Sequence, residues 1–284
     1  MFNFQRKTVL IKLPSGINCT VGALYAGHQG LLTKKGGKAS DKMNELIADL
    51  VIDIDGMEWA GLSVAKRKEA VRQMLSGDRK TILTQARQLT MEYPREFEFH
   101  HEHKTAAGVK KSELFKVILI NEDNRSEIIE TISKAYPNSD PELLQQLNIV
   151  GGFPTRPYAK QFDGYPIDTV EIEPILTGII DGYELTFRML TGQLEEGFNA
   201  ESDSNTRVFA RKLRTRKTGE TNWQAVPIEL IKTMPLPIIE KIISAISQHE
   251  GDVDTVEIRE NSEGEKMVVE LTGELSFFFP SGKI

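Results

Sequence analysis

The chain has 284 residues, 39% of them apolar and 27% charged, with a net charge of −6 at pH 7. At roughly 150 residues per domain the length predicts about two domains, and the composition excludes a disordered, collagenous or disulfide-rich chain. The acidic balance supplies no global field toward DNA or anionic lipid, and the single cysteine, Cys19, excludes an internal disulfide and any multi-cysteine zinc site.

Residues Met1 to Leu13 do not read as a signal peptide, and no run approaches the ~20 apolar residues of a membrane helix. The expectation is a soluble protein made in a reducing cytoplasm. Strand-like Lys7 to Leu13 and Ile17 to Gly22 flank the turn residues Pro14-Ser15-Gly16 and predict a hairpin. Gly27, Gly30, Gly36 and Gly37 predict a loop, after which Ser40 is the expected N-cap of a helix burying Met43, Leu46, Ile47, Leu50, Val51 and Ile54. A second helix is expected after Ser63, burying Val64, Val71, Met74 and Leu75 and stopping at Ser76-Gly77. A third is expected from an Asp78 cap, carrying Ile82, Leu83, Ala86 and Leu89 inward, and Phe97 and Phe99 then alternate with glutamates as in a half-buried strand.

A polar linker, residues 104–112, leads to a buried strand from Leu114 to Ile120 and to short helices near Ser126 to Ala135 and Asp140 to Gly151. The proline-rich stretch Gly152 to Tyr165 reads as an extended connector and domain boundary. Beyond it the first pattern returns. A hairpin is expected over Thr169 to Ile175 and Tyr183 to Leu190, a strong helix over Leu236 to His249, and strands over Val253 to Ile258 and Lys266 to Leu271. Gly22 to Gly27 aligns with Phe187 to Gly192, and Glu96 to Phe99 with Val256 to Ile258. The expected architecture is α/β, in the α+β sense: a module over 1–103, a strand-helix insertion and linker over 104–166, and a second module over 167–284 that is a diverged repeat of the first.

Chemistry-bearing residues are sparse. His100, His101 and His103 beside Glu102 are suitable metal ligands, but no second cluster completes a set, so a polar strand end or turn is the preferred reading and a metal-dependent enzyme the alternative. Phosphate-loop, nucleophile-elbow and zinc-protease motifs are absent, and Cys19 reads as a small apolar filler. No cofactor, nucleic acid or membrane is expected. Arg207, Arg211, Arg214 and Arg216 belong to the one dense basic segment, a solvated face or a protein contact. Phe277, Phe278 and Phe279, near the C-terminus of the sequence, dock either on the chain's own core or on a partner.

Several short motifs occur in a shared order: Leu13-Pro-Ser-Gly16, Leu31-Leu-Thr33, Asn44-Glu-Leu46, Ile54-Asp-Gly56, Gly77-Asp-Arg79, the strand Tyr93 to Phe99, and Phe277 to Ser281. In this order the chain resembles the tailed-phage baseplate proteins typified by the hub assembly protein of T-even myophages. In many relatives a Cys-x-x-Cys knuckle follows the Glu-Phe strand; here His100 to His103 stands in its place without cysteines. The resemblance implies a non-enzymatic structural component of a contractile-tail baseplate, assembled in the host cytoplasm and carried in the virion. It implies contacts with other baseplate and hub proteins, with other copies of the chain in a symmetric ring among them. A transient hub assembly chaperone is the alternative within the same system. Leu114 to Asn124 also resembles, over that short stretch alone, the opening strand of the Clp protease adaptor family.

Overall fold

The computed structural model describes residues 5–33, 36, 38–90, 95–105, 107–119, 130, 134, 155–168, 173–196, 213–253, 256–260, 264 and 266–270. The chain is a mixed α/β protein, and all strand pairs among the described residues are antiparallel. It divides into two compact units, one of Met1–Leu89 with Thr155–Val253 and the other of Thr90–Pro154 with Asp254–Ile284. Both units therefore draw on both halves of the sequence.

In the first unit, strands β1 (Thr8–Lys12) and β2 (Asn18–Gly22) form the expected hairpin. Gly16 turns it with a φ of 92°, a conformation open to glycine and strained for other residues. At Gly27 and Gly30, where a loop is expected, the chain instead forms helix α1 (Ala26–Thr33). Gly27 and Gly30 cost it about 1 kcal/mol each relative to alanine, a loss offset by burial of His28 with hydrogen bonds to both ring nitrogens.

Helix α2 (Ala39–Leu50) starts after Lys38 rather than after the expected Ser40 cap. It also ends sooner than its apolar spacing predicts. Val51–Ile54 is strand β3, completing the order β1-β2-β3 with Cys19 opposite Ile54. Val51 and Ile54 are buried in either conformation, so burial could not distinguish them; the β-branched residues and the open edge of β2 decide for the strand.

Helix α3 (Val64–Gln73) has the expected cap, with Ser63 Oγ accepting the Lys66 N–H at 3.4 Å, although Val64 is exposed rather than buried. Helix α4 (Ser76–Thr90) begins two residues before the expected Asp78 cap. Ser76 and Gly77 are its opening residues, and a Cβ on Gly77 would meet the Gly251 carbonyl.

Asp78 is buried instead of capping. It accepts the Ser15 N–H at 3.0 Å and the Tyr165 hydroxyl at 2.6 Å, while that hydroxyl oxygen accepts the Leu75 N–H at 3.2 Å. Tyr158, similarly buried, accepts the Gly77 N–H at 3.0 Å. The stretch expected to be a boundary is extended but packed: β6 (Thr155–Arg156) pairs with β11 (Asp252–Val253), and the Tyr158 and Phe162 amides bond the Pro14 and Ser15 carbonyls.

The rest of this unit is a sheet ordered β10-β9-β8-β7, from β7 (Ile175–Ile180), β8 (Tyr183–Phe187), β9 (Leu213–Lys217) and β10 (Gln224–Ala225). Helices α5 (Gly192–Glu195), α6 (Ile228–Thr233) and α7 (Leu236–His249) accompany it. Leu185, Phe187, Met189, Leu213, Ile242 and Ile246 form its core, and Leu75 enters that core from the first half of the sequence.

The second unit contains two long hairpins. One joins β4 (Arg95–Lys104) to β5 (Lys110–Leu119), so most of the expected linker is strand and turn; the other joins β12 (Val256–Glu260) to β13 (Lys266–Glu270). Glu130 and Lys134 are helical and ion-paired at 2.6 Å, within the span where a helix is expected. The expected helix from Asp140 lies outside the described residues.

Elements of the two halves recur at offsets of 160 to 165 residues. Strand β2 ends at 22 and β8 at 187, β3 begins at 51 and β9 at 213, and Trp59 corresponds to Trp223. Helices α3 and α6 begin at 64 and 228, α4 and α7 at 76 and 236, and β4 and β12 at 95 and 256.

Burial pushes the Asp78 carboxyl up from the ordinary 3.8 to about 6, although the Tyr165 and Ser15 bonds pull the other way. A raised carboxyl pKa stabilises the fold most below the unfolded pKa, and that contribution is lost as pH rises through the folded one. Wild-type stability relative to Asp78→Asn is therefore expected to fall by about 2 kcal/mol between about pH 4 and about pH 6. Urea unfolding across that range checks it; parallel pH profiles for the two proteins would contradict it.

Candidate interaction surface

Among the described residues of the first unit, three places bring functional-looking side chains together: the junction where its halves meet, an open cleft beside α1, and a second cleft around Glu173. At the junction, Leu75 pairs with Thr191 in an isolated antiparallel bridge. The Ser76 N–H donates to the Leu190 carbonyl at 2.8 Å and the Gly192 N–H to the Met74 carbonyl at 3.1 Å. Polar groups surround these bonds. Arg79 Nη1 bonds Asn44 Oδ1 at 2.7 Å, Arg79 Nε lies 3.4 Å from Glu195, and the Ser76 hydroxyl donates to Glu195. Arg72 holds Glu196 through two bonds of 2.9 and 3.0 Å. Such a fork is favoured by geometry as well as charge, and it holds the Glu196 carboxyl below its ordinary range.

The open cleft has a volume of about 500 Å³ and is lined by Tyr25, Gly27, His28, Leu31, Asp49 and Val64. His28 is buried at its wall. Its Nδ1 accepts the Tyr25 N–H at 3.2 Å, which puts the neutral-ring proton on Nε2, 2.7 Å from Asp49 Oδ2. The same carboxylate accepts the Tyr25 hydroxyl at 3.1 Å and Arg6 Nη1 at 3.3 Å. The His28 bond, with the Arg6 charge and the Tyr25 bond behind it, holds Asp49 below the ordinary carboxylate range against the opposing pull of burial. Both His28 nitrogens are thus spent, leaving that ring no free lone pair for general-base work in this pose. The cluster instead fixes Tyr25, whose ring lies 3.8 Å from the imidazole by centroids and is half exposed at the cleft rim. Tyr25 thus presents an aromatic face at the rim beside exposed Val64.

A second cleft of about 390 Å³ is lined by Glu173, Arg188, Met189 and Arg214 among others. Burial raises the Glu173 carboxyl pKa even with Arg214 at 3.8 Å.

Of the residues expected to matter, Arg214 lies in this second cleft beside Glu173. Arg216 bonds Glu184 at 2.7 Å and stacks 4.3 Å over the Trp223 ring, so its charge is engaged within the chain. His100, His101 and His103 lie on β4 opposite Leu114, Glu113 and Lys111. Arg207, Arg211 and Phe277, Phe278 and Phe279 lie outside the described residues. Among the described residues no group of three or more His, Cys, Asp or Glu is arranged to hold a metal. Cys19 is buried, with its thiol pushed up to about 12 by burial and by Asp78, Asp53 and Asp55.

The sequence reading missed His28, Asp49, Tyr158 and Tyr165. The first two stand 21 residues apart on helices separated by glycines, and the tyrosines sit between prolines. No family model, curated protein or solved structure matches the chain.

His28→Leu is expected to raise the Asp49 pKa, because the His28 bond is the strongest influence holding it down. Carboxyl carbon-13 NMR titration reads this directly, and an unchanged Asp49 titration would show that the bond does not form.

Proposed function

We propose that the protein is a structural component of a contractile phage tail baseplate, in or near its hub, acting through protein–protein contacts. The reading rests on the ordered motifs shared with the baseplate family, and one observation supports treating them as a set. Dispersed along the sequence, three of them meet in the fold. Ser15 of the first motif bonds Asp78 of Gly77-Asp-Arg79, and Arg79 of that motif bonds Asn44 of Asn44-Glu-Leu46. Gly56 of Ile54-Asp-Gly56 has a φ of 87° and lies so close to the Tyr165 main chain that a Cβ would collide with it. Residues that specify a scaffold together are more informative than isolated turn signals.

The clefts fit the same role. Tyr25, Val64 and Leu236 are exposed on one unit, as befits contact with neighbouring subunits, and the His28 geometry favours holding over turnover.

Mass spectrometry of purified, tail-intact particles, with copy number taken against the tail tube protein, tests the proposal. The expected result is a small fixed copy number. Absence from particles with presence in infected-cell extracts would overturn a resident role and indicate an assembly chaperone instead.

A further inference from the structure

The halves of the first unit dock on one another through the Met74–Ser76 segment, while the surfaces at the corresponding repeat positions stay exposed. By the offsets of the repeat, Met74-Leu75-Ser76, between α3 and α4, corresponds to Met234-Pro235-Leu236, between α6 and α7. Leu190-Thr191-Gly192 likewise corresponds to Tyr25-Ala26-Gly27. The first segment docks on the second half through the Leu75–Thr191 bridge and its two main-chain bonds, burying Met74, Leu75, Thr191 and Gly192. Their counterparts are not joined. Tyr25, Ala26, Gly27, Pro235 and Leu236 are all exposed, Leu236 to 72%.

We propose that the chain associates head to tail with a second copy of itself, Met234-Pro235-Leu236 of one copy seating in the Tyr25–Leu31 cleft of the next. The contact repeats between chains the docking already seen within one. It has available main-chain groups, since the Leu236 amide opens α7 and precedes any intrahelical bond. Its side chains are complementary as well. Where the closed junction sets Arg79 against Glu195 and Glu196, the equivalent positions are Ile239 on one side and Gly30 and Leu31 on the other, so an ion pair is exchanged for an apolar contact. Exposed Leu236 and Ile243, seven residues apart on α7, extend that apolar face, and Tyr25 and Val64 line the cleft that would receive it. A contact between two different surfaces of the same chain is heterologous, so it closes into a ring or runs on as a filament. It does not depend on where the protein works.

Sedimentation velocity of the full chain, from low to high micromolar concentration, provides the test, with Ala26→Arg blocking the cleft and Leu236→Asp blocking the inserting segment. Both positions are exposed, and thermal unfolding checks that each variant folds. The wild type is expected to assemble beyond a dimer as concentration rises. Each variant alone is expected to lose at least about tenfold in self-association. An equimolar mixture is expected to form a one-to-one complex and stop there, because each variant retains the face the other has lost. A wild type that stays monomeric, single variants that assemble like wild type, or monomeric variants whose mixture forms no complex would each overturn the proposal.

Discussion

The carboxyl of Asp78 is the group on which the rest of the first unit depends. It is buried at the start of α4, and its partners come from distant segments: the main chain of the β1–β2 turn at Ser15 and the hydroxyl of Tyr165. The Tyr165 hydroxyl takes the Leu75 amide in turn, and Leu75 is the residue that enters the core of the second half. A buried carboxyl without partners would be costly, so these bonds are conditions of the fold rather than additions to it. Removing one partner leaves the others unsatisfied, which couples the hairpin, the segment from 155 to 168 and the junction of the two halves.

That coupling explains which elements could be read from the sequence. The β1–β2 hairpin, α3 and α7 carry their determinants locally: turn residues at Pro14 to Gly16, the Ser63 cap, and an isoleucine stripe ended at Gly251. Helix α1 could not be read, because its glycines argue against it and the burial of His28 that favours it requires Asp49 from another helix. Val51–Ile54 satisfied a helical spacing and became a strand because β2 had an edge to complete. Asp78 looked like a cap and lies two residues inside its helix, since a start at Ser76 is permitted by Gly77, which has no side chain to strike Gly251. The segment around Tyr158 and Tyr165 was legible as extended chain; that it is packed was not, because its partners lie about 80 or more residues away in sequence.

The candidate surface was still less legible. The basic residues singled out in the sequence fall partly on β9, where Arg216 is spent on Glu184 and Trp223, while the open cleft, Leu31 and Glu45 apart, is built from residues outside the motifs. The proposed repeat contributes a different kind of comparison within a single chain, between a junction that is filled and an equivalent surface that is exposed. The filled copy is polar and locked by Arg72, Arg79, Glu195 and Glu196. The exposed surface has Gly30 and Leu31 at the positions of that glutamate pair and is rimmed by a tyrosine that His28 and Asp49 hold in place. The proposed baseplate role makes use of such an asymmetry, since a subunit of an assembly must be stable alone and still present an unpaired face.

The central claim is that one junction is closed within the chain and its repeat equivalent is open. Residue-resolved amide hydrogen exchange on the dilute monomer tests it most directly. The account predicts that the Leu75, Ser76 and Gly192 amides exchange only with global unfolding, while those of Gly27 and Leu236 exchange like exposed turns. Equal protection at both sets of amides, or rapid exchange at Ser76 and Gly192, would contradict it.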